Sequence, residues 1–255
     1  MVRTDTVPEA LRAFFDAHPK LALAFSGGVD SAYLLYAAVE CGCDVHAFYA
    51  RSAFQPAFER EDARRLAEQL GAKMTVVPLD VLAVEAVRQN PENRCYHCKR
   101  AIFGALLEAA AAAGCEAIVD GTNASDDAGD RPGMRALAEL KVLSPLRLCG
   151  ITKAMVREYS RRAGLFTWDK PAYACLATRV PSGTLITPEV LARVEGAESA
   201  LFAMGFSDFR VRVFHDAARL QLPAGQMARA LERRGAIRKA LAPWFDIVLL
   251  DLKDR

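Results

Sequence analysis

The chain has 255 residues, 52% of them hydrophobic, and its 33 Lys and Arg against 31 Asp and Glu leave a formal charge of +2. That length and apolar fraction suit one main domain and a smaller second one, at about 150 residues per domain. The balance lacks the positive excess that an extended nucleic-acid surface needs, so nucleic acid is not expected as a partner.

The opening stretch, MVRTDTVPEALRAFFDAHPK, breaks any apolar run with charges and two prolines and reads as mature sequence rather than a secretory signal. Residues 20–25 then form the first strand-like apolar run, followed at once by Ser26-Gly27-Gly28-Val29-Asp30-Ser31 and a helical stretch over 29–40. Two glycines allow a sharp turn that aims consecutive N–H groups at an anion. The helix start adds its positive end, and Ser26 and Ser31 add hydroxyl donors. Asp30 is placed to hold a magnesium ion that bridges phosphates. No Lys followed by Ser or Thr comes after the glycines, which separates this loop from the common P-loop; the plainer alternative is a glycine turn capping a helix.

Strand-like runs recur at 44–50, 74–79 and 117–120, with helical patterns over 56–70 and 99–113 between them. This β-α-β-α rhythm predicts an α/β fold, a doubly wound parallel sheet, whose ligands sit beyond the carboxyl ends of the strands. Residues 101–119 are largely alanine and carry Glu108 and Glu116, so they read as a helix and a strand rather than a membrane span. Asp120-Gly121-Thr122-Asn123 follow the fourth strand at the predicted active edge, where Asp120, Thr122 and Asn123 would orient nucleotide or cap a helix.

Asn93-Arg94-Cys95-Tyr96-His97-Cys98-Lys99 sets two thiols three positions apart, a spacing that serves redox chemistry, zinc and iron-sulfur clusters alike. Seven cysteines are an odd number in a chain too long to need covalent staples, so reduced thiols in a cytoplasmic setting are expected. Lys99 is placed to meet phosphate or developing negative charge. Residues 165–187 form a long irregular loop with Cys175 within it. If both loops lie over the same sheet edge, Cys95, Cys98 and Cys175 meet there. Three thiolates are one short of a closed zinc site, but on a four-iron cubane they leave one iron open. Buried structural thiols are the alternative, and Cys41, Cys43, Cys115 and Cys149 are read that way.

Beyond the loop the pattern is helix (188–204), strand (209–214), a tight connection through His215-Asp216, strand (218–222), helix (225–240) and strand (245–250). This α-β-β-α-β unit is expected to be a small α+β C-terminal domain, with boundaries at 1–165 and 166–255. Arg210 and Arg212, two apart on a strand, share a face.

SGGVDS after the first strand resembles the PP-loop of the ATP pyrophosphatase superfamily, which implies ATP splitting between the α and β phosphates. Together with NRCYHCK, DGTN, DRPGMRAL at 130–137, SPL at 144–146, TWDKPAYACLATR at 167–179 and VRVFHDAARL at 211–220, nearly the whole chain resembles the LarE family. Those are ATP-dependent sulfur insertases of nickel-pincer nucleotide biosynthesis. The resemblance implies adenylation of a carboxylate of a pyridinium dicarboxylate mononucleotide and conversion to a thiocarboxylate. It also implies ATP, Mg2+ and a 4Fe-4S cluster as cofactors, the cluster on Cys95, Cys98 and Cys175. Some relatives instead give up the sulfur of a single cysteine at the Cys175 position. The same resemblance makes Arg179, Arg210 and Arg212 anion-binding residues and implies a small-molecule nucleotide substrate, a homo-oligomer and no membrane. Where relatives often read Arg-Ile-Glu, this chain reads Arg219-Leu220-Gln221, which puts any role of that carboxylate in doubt. Two competing readings are a tRNA-thiolating PP-loop enzyme and a zinc-stapled nucleotide-binding module without transfer.

Overall fold

A computed structural model of the chain describes residues 6–126 and 132–255; the first five residues, and Asp130 and Arg131 of the DRPGMRAL stretch, lie outside the described residues. The described residues divide into two compact units: residues up to Val84 with Asn93–Lys170, and Glu85–Glu92 with Pro171–Arg255.

In chain order the first unit builds α1 (Glu9–Ala17), β1 (Lys20–Ala24), α2 (Val29–Glu40), β2 (Asp44–Arg51), α3 (Ala57–Gln69) and β3 (Lys73–Pro78). After α4 (Glu85–Arg88) of the second unit it resumes with α5 (Arg94–Ala112), β4 (Ile118–Val119), α6 (Pro132–Glu139), α7 (Pro145–Leu148) and α8 (Lys153–Arg162). The strands pair in parallel in the order β3-β2-β1-β4. Alternation along each strand feeds two cores. Leu21, Leu23, Val45, Ala47 and Tyr49 pack with Tyr33, Leu34, Ala63 and Leu66 on one face, and Ala22 and Phe48 pack with Phe103, Leu106 and Leu137 on the other. Helices therefore cover both faces, the doubly wound arrangement expected of the apolar runs. Because β2 and β3 extend to one side of β1 and β4 lies on the other, the strand order reverses at β1, which opens a crevice above its carboxyl end.

The second unit contains α9 (Pro188–Ala203), β5 (Arg210–Phe214), β6 (Ala217–Gln221), α10 (Ala224–Glu232), α11 (Arg234–Leu241) and β7 (Val248–Leu250). β5 and β6 are an antiparallel hairpin turning at His215, whose φ is +52°; β7 adds in parallel to β6. Three expectations need correction. The predicted helix over 225–240 is two helices, broken at Arg233 (φ −95°, ψ 14°). Arg229 and Arg233 donate to Met204 O at 2.8 and 2.9 Å and tie the end of α10 to the end of α9, while Gly235, a poor helix former, lets α11 turn to bury Ile237 and Leu241. The third strand covers only Val248–Leu250. NRCYHCK is not a loop: α5 starts at Arg94, so both cysteines lie on its first two turns. No helix among the described residues is long and apolar enough to cross a membrane.

Candidate active site

At the crevice above β1 the SGGVDS loop closes tightly. Gly27 adopts φ +71°, and a Cβ there would sit 3.0 Å from Ala63 Cβ of α3, so the turn requires glycine on both counts. Gly28 caps α2, whose first turn carries Asp30. Ser26 Oγ lies 3.0 Å from Ser31 Oγ, Ser26 N donates to Ser31 Oγ and Gly28 N to Ser26 Oγ at 3.3 Å each. The two hydroxyls thus hold the loop in the shape of an anion cradle at a helix start.

The turn after β4 meets this cradle from the other side of the crevice. A Cβ on Gly121 would lie 2.8 Å from Ser31 N and 3.2 Å from Asp30 Cβ. Asp120 is 6% exposed; its carboxylate accepts from Thr122 N (3.2 Å), Thr122 Oγ1 (2.6 Å) and Ser144 Oγ (2.7 Å). Asn123 Nδ2 donates to Asp30 Oδ1 at 3.3 Å, and its own N–H donates to Asp126. The structure therefore brings Ser26, Gly27, Gly28, Asp30, Ser31, Asp120, Thr122 and Asn123 together. Reading the sequence missed Lys153, whose Nζ donates to Asp30 Oδ2 at 2.5 Å. It follows the helix-capping Thr152 at the start of α8, and its distance of 123 residues from Asp30 hides the pairing. Asp30, expected as a magnesium ligand, is paired here with an ammonium.

Beside Ser26 a cleft of about 130 Å³ opens, walled by Ala24, Phe25 and Ala50 of the sheet edge and by Ile102, Phe103 and Leu106 of α5. A crossover helix runs antiparallel to the strands it joins, so the start of α5 lies at their carboxyl edge. Cys98 and Lys99 sit one turn before Ile102 and Phe103 on the same helix face, and the Lys99 ammonium lies 5.9 Å from the Phe103 ring centre. The Lys99 stem crosses Gly133, whose added Cβ would meet it at 3.2 Å. Cys95 is exposed, and Arg94 Nη2 approaches its Sγ at 3.7 Å.

Cys175 belongs to the second unit. It immediately precedes a single 3-10 turn, Leu176–Arg179, and its carbonyl accepts from Thr178 N at 3.0 Å. Three guanidiniums clamp this segment. Arg179 Nη1 donates to Ala174 O (2.8 Å), Arg210 Nη2 to Ala172 O (2.8 Å) and Arg255 Nη2 to Ala172 O (3.3 Å). Arg179 and Arg210 also flank the Tyr173 ring at 4.5 and 5.5 Å. The keystone is Glu198 of α9, another residue missed in the sequence. It accepts from Arg179 Nε (2.8 Å) and Nη2 (3.0 Å), from Val211 N (2.9 Å) and from the Tyr173 hydroxyl. Arg179, expected to bind substrate, is 1% exposed and committed to Glu198. Arg210 and Arg212 share a face of β5 as expected, opposite Gln221 and Arg219. Burial first, and then the neighbouring Arg179, pushes Arg210 down to about 10; Arg212 is lowered by burial, Arg179 and Arg219. This face carries more positive charge than its carboxylates neutralise, which favours an anion. The Gln221 departure has a physical account: its Oε1 accepts from Arg212 Nε and its Nε2 donates to Asp251 Oδ2 at 3.0 Å, so Asp251 supplies the carboxylate one step further away.

Among the described residues no group of three or more His, Cys, Asp or Glu is placed to hold a metal ion.

The profile of the family described as Thiamine biosynthesis protein (ThiI) matches residues 17–195. An uncharacterized protein of Synechocystis sp. is 38% identical over 225 residues, 88% of this chain and 84% of that protein. The pyridinium-3,5-bisthiocarboxylic acid mononucleotide synthase of Lactiplantibacillus plantarum is 34% identical over 236 residues, 91% of this chain and 86% of that enzyme. An uncharacterized protein of Methanocaldococcus jannaschii is 27% identical over 237 residues, covering 92% and 90%.

Proposed function

Since the chain belongs to the LarE family of PP-loop ATP-dependent sulfurtransferases, we propose that it adenylates a carboxylate of a pyridinium dicarboxylate mononucleotide and replaces a carboxylate oxygen with sulfur. The observation that carries this reading is the shared cleft: Ser26 of the phosphate cradle and the α5 turn that follows Cys98-Lys99 wall the same space.

The reaction divides between the residues as follows. The cradle of Ser26, Gly27, Gly28 and Ser31 holds the phosphates at the α2 start, and Asp120, Thr122 and Asn123 brace it from β4. Asp30 is assigned to magnesium, with Lys153 moving from its carboxylate to a phosphate oxygen. The substrate carboxylate attacks the α-phosphorus, pyrophosphate leaves, and an acyl adenylate results; Lys99 neutralises the charge that develops. A sulfur nucleophile then attacks the acyl carbon and AMP leaves with the bonding electron pair. Arg210 and Arg212 hold the mononucleotide phosphate, while Arg179 acts by positioning the Cys175 segment. Two parts serve the two steps: residues 1–165 adenylate, and 166–255 carry the sulfur-transfer loop.

Cys95, Cys98 and Cys175 are assigned to a 4Fe-4S cluster with one open iron, which would supply sulfide when bound. Support comes from the chemistry of the donors: Cys95 and Cys98 sit one turn apart at the positive start of α5 and all seven cysteines are thiols. A homo-oligomer in the cytoplasm completes the reading.

Anaerobic iron and sulfide analysis, paired with mass spectrometry after turnover with ATP, sulfide and the nucleotide, tests it. Repeated product from an intact chain holding iron supports the cluster, and loss of one sulfur from Cys175 indicates sacrifice instead. Cys95→Ala should lose iron while keeping ATP affinity. Failure to form thiocarboxylate under either condition refutes the assignment.

A further inference from the structure

The cleft beside Ser26 lies on the α5 face of the first sheet. On the opposite face, the outer strand β3 and helix α3 leave a separate cleft of about 410 Å³ between them. Its floor is Met74, Val76 and Pro78 of β3, and its walls carry Arg51 at the end of β2 and Arg60, Glu61 and Arg64 of α3, three guanidiniums against one carboxylate. Arg60 and Arg64 are one helical turn apart, so they address the same groove. Arg64 is held by Glu61 at 2.9 Å, but the Arg51 and Arg60 side chains make no hydrogen bond or ion pair among the described residues.

A buried polar group lies in the core behind this groove. Tyr49 of β2 pairs with Val76 across the strands and shares its face with Arg51. It is 1% exposed, and its hydroxyl is buried without a hydrogen-bond partner. Tyr49 packs with Ala63 and Leu66 of α3, and it borders the cleft beside Ser26 rather than this one. Buried hydroxyls are rarely left unpaired.

We propose that this cleft is a binding site for an organic phosphate, distinct from the phosphate cradle. Guanidinium forks match phosphate oxygens in pairs, and Met74, Val76 and Pro78 cover the organic body. The volume falls in the range of roughly 300–1,000 Å³ typical of small-molecule sites, well above what a lone phosphate ion fills.

Calorimetric titration of the full chain with inorganic phosphate and with ribose 5-phosphate, both in saturating α,β-methylene-ATP to fill the cradle, tests the assignment. Ribose 5-phosphate is expected to bind several-fold more tightly than phosphate. Arg51→Ala and Arg60→Ala should each weaken it at least tenfold, and the exposed Arg135→Ala should not. Absence of saturable binding, or binding undiminished in both arginine variants, overturns the site. Phosphate bound as tightly as ribose 5-phosphate overturns its assignment to an organic ligand. Titration of the ATP analogue itself reports on the cradle separately, so failure there and failure here are distinct results.

Discussion

Removing the Glu198 carboxylate tests whether the second unit is built to hold Cys175 in place. Glu198 and Arg179 side chains are 2% and 0% exposed, and the carboxylate accepts four hydrogen bonds that join α9, β5, the 3-10 turn and Tyr173. In Glu198→Ala the Arg179 guanidinium stays in the interior with no opposing charge, a situation that costs about 3–5 kcal/mol. Total stabilities are about 5–15 kcal/mol, so the variant should lose a large fraction of its stability. Urea unfolding followed by tryptophan fluorescence should show the midpoint falling accordingly. The double variant Glu198→Leu with Arg179→Met replaces the pair by apolar groups and should regain most of that loss. It should not restore the Cys175 segment, because Ala174 O and Tyr173 remain without their partners, so iodoacetamide should label Cys175 faster in both variants than in the parent chain. A loss below about 1 kcal/mol, the worth of an exposed pair, would refute the keystone role. So would parental labelling of Cys175 in both variants.

Four further outcomes follow from the geometry. Gly121→Ala drives a Cβ to 2.8 Å from Ser31 N, against backbone that cannot withdraw, and should weaken ATP binding roughly tenfold or more in a nucleotide titration. Gly104→Ala, with open space around it on α5, should leave affinity unchanged and stabilise the helix by about 0.5–1 kcal/mol. Burial first, then Asp44, pushes the Cys43 thiol up from 9.0 to about 11, so its unfolded form loses the proton first. Its contribution is whole below pH 9 and is lost as pH rises toward 11, and Cys43→Ala should flatten that alkaline decline in urea midpoints. His46 is depressed below 6.5 by burial and by Lys73, and its Nε2 lies 2.8 Å from Thr75 Oγ1. The unfolded imidazole therefore binds a proton first as pH falls through 6.5, so stability declines below that point, and His46→Gln should reduce the acid slope.

The α/β rhythm was legible because strands buried on both faces must be continuous apolar runs, as KLALA and VHAFYA are. The glycine loop was legible for a similar reason: Gly27 at φ +71° admits few other residues. Local cues also misled. The stretch 225–240 keeps a helical pattern throughout, yet tertiary ties from Arg229 and Arg233 to Met204 end the first helix early. NRCYHCK looks like a loop because it opens on Asn93 and Pro91 precedes it, whereas the helix already runs through both cysteines.

Residue types and spacing were enough to determine the fold class and the glycine loop after the first strand, since each depends on neighbours within a few positions. Only the folded chain decided that Lys153 sits on Asp30, that Glu198 locks Arg179 and Tyr173, and that Gln221 relays Arg212 to Asp251. Those partners are separated by 9 to 123 residues, and a charge carries no mark in sequence of which distant opposite charge will share its burial.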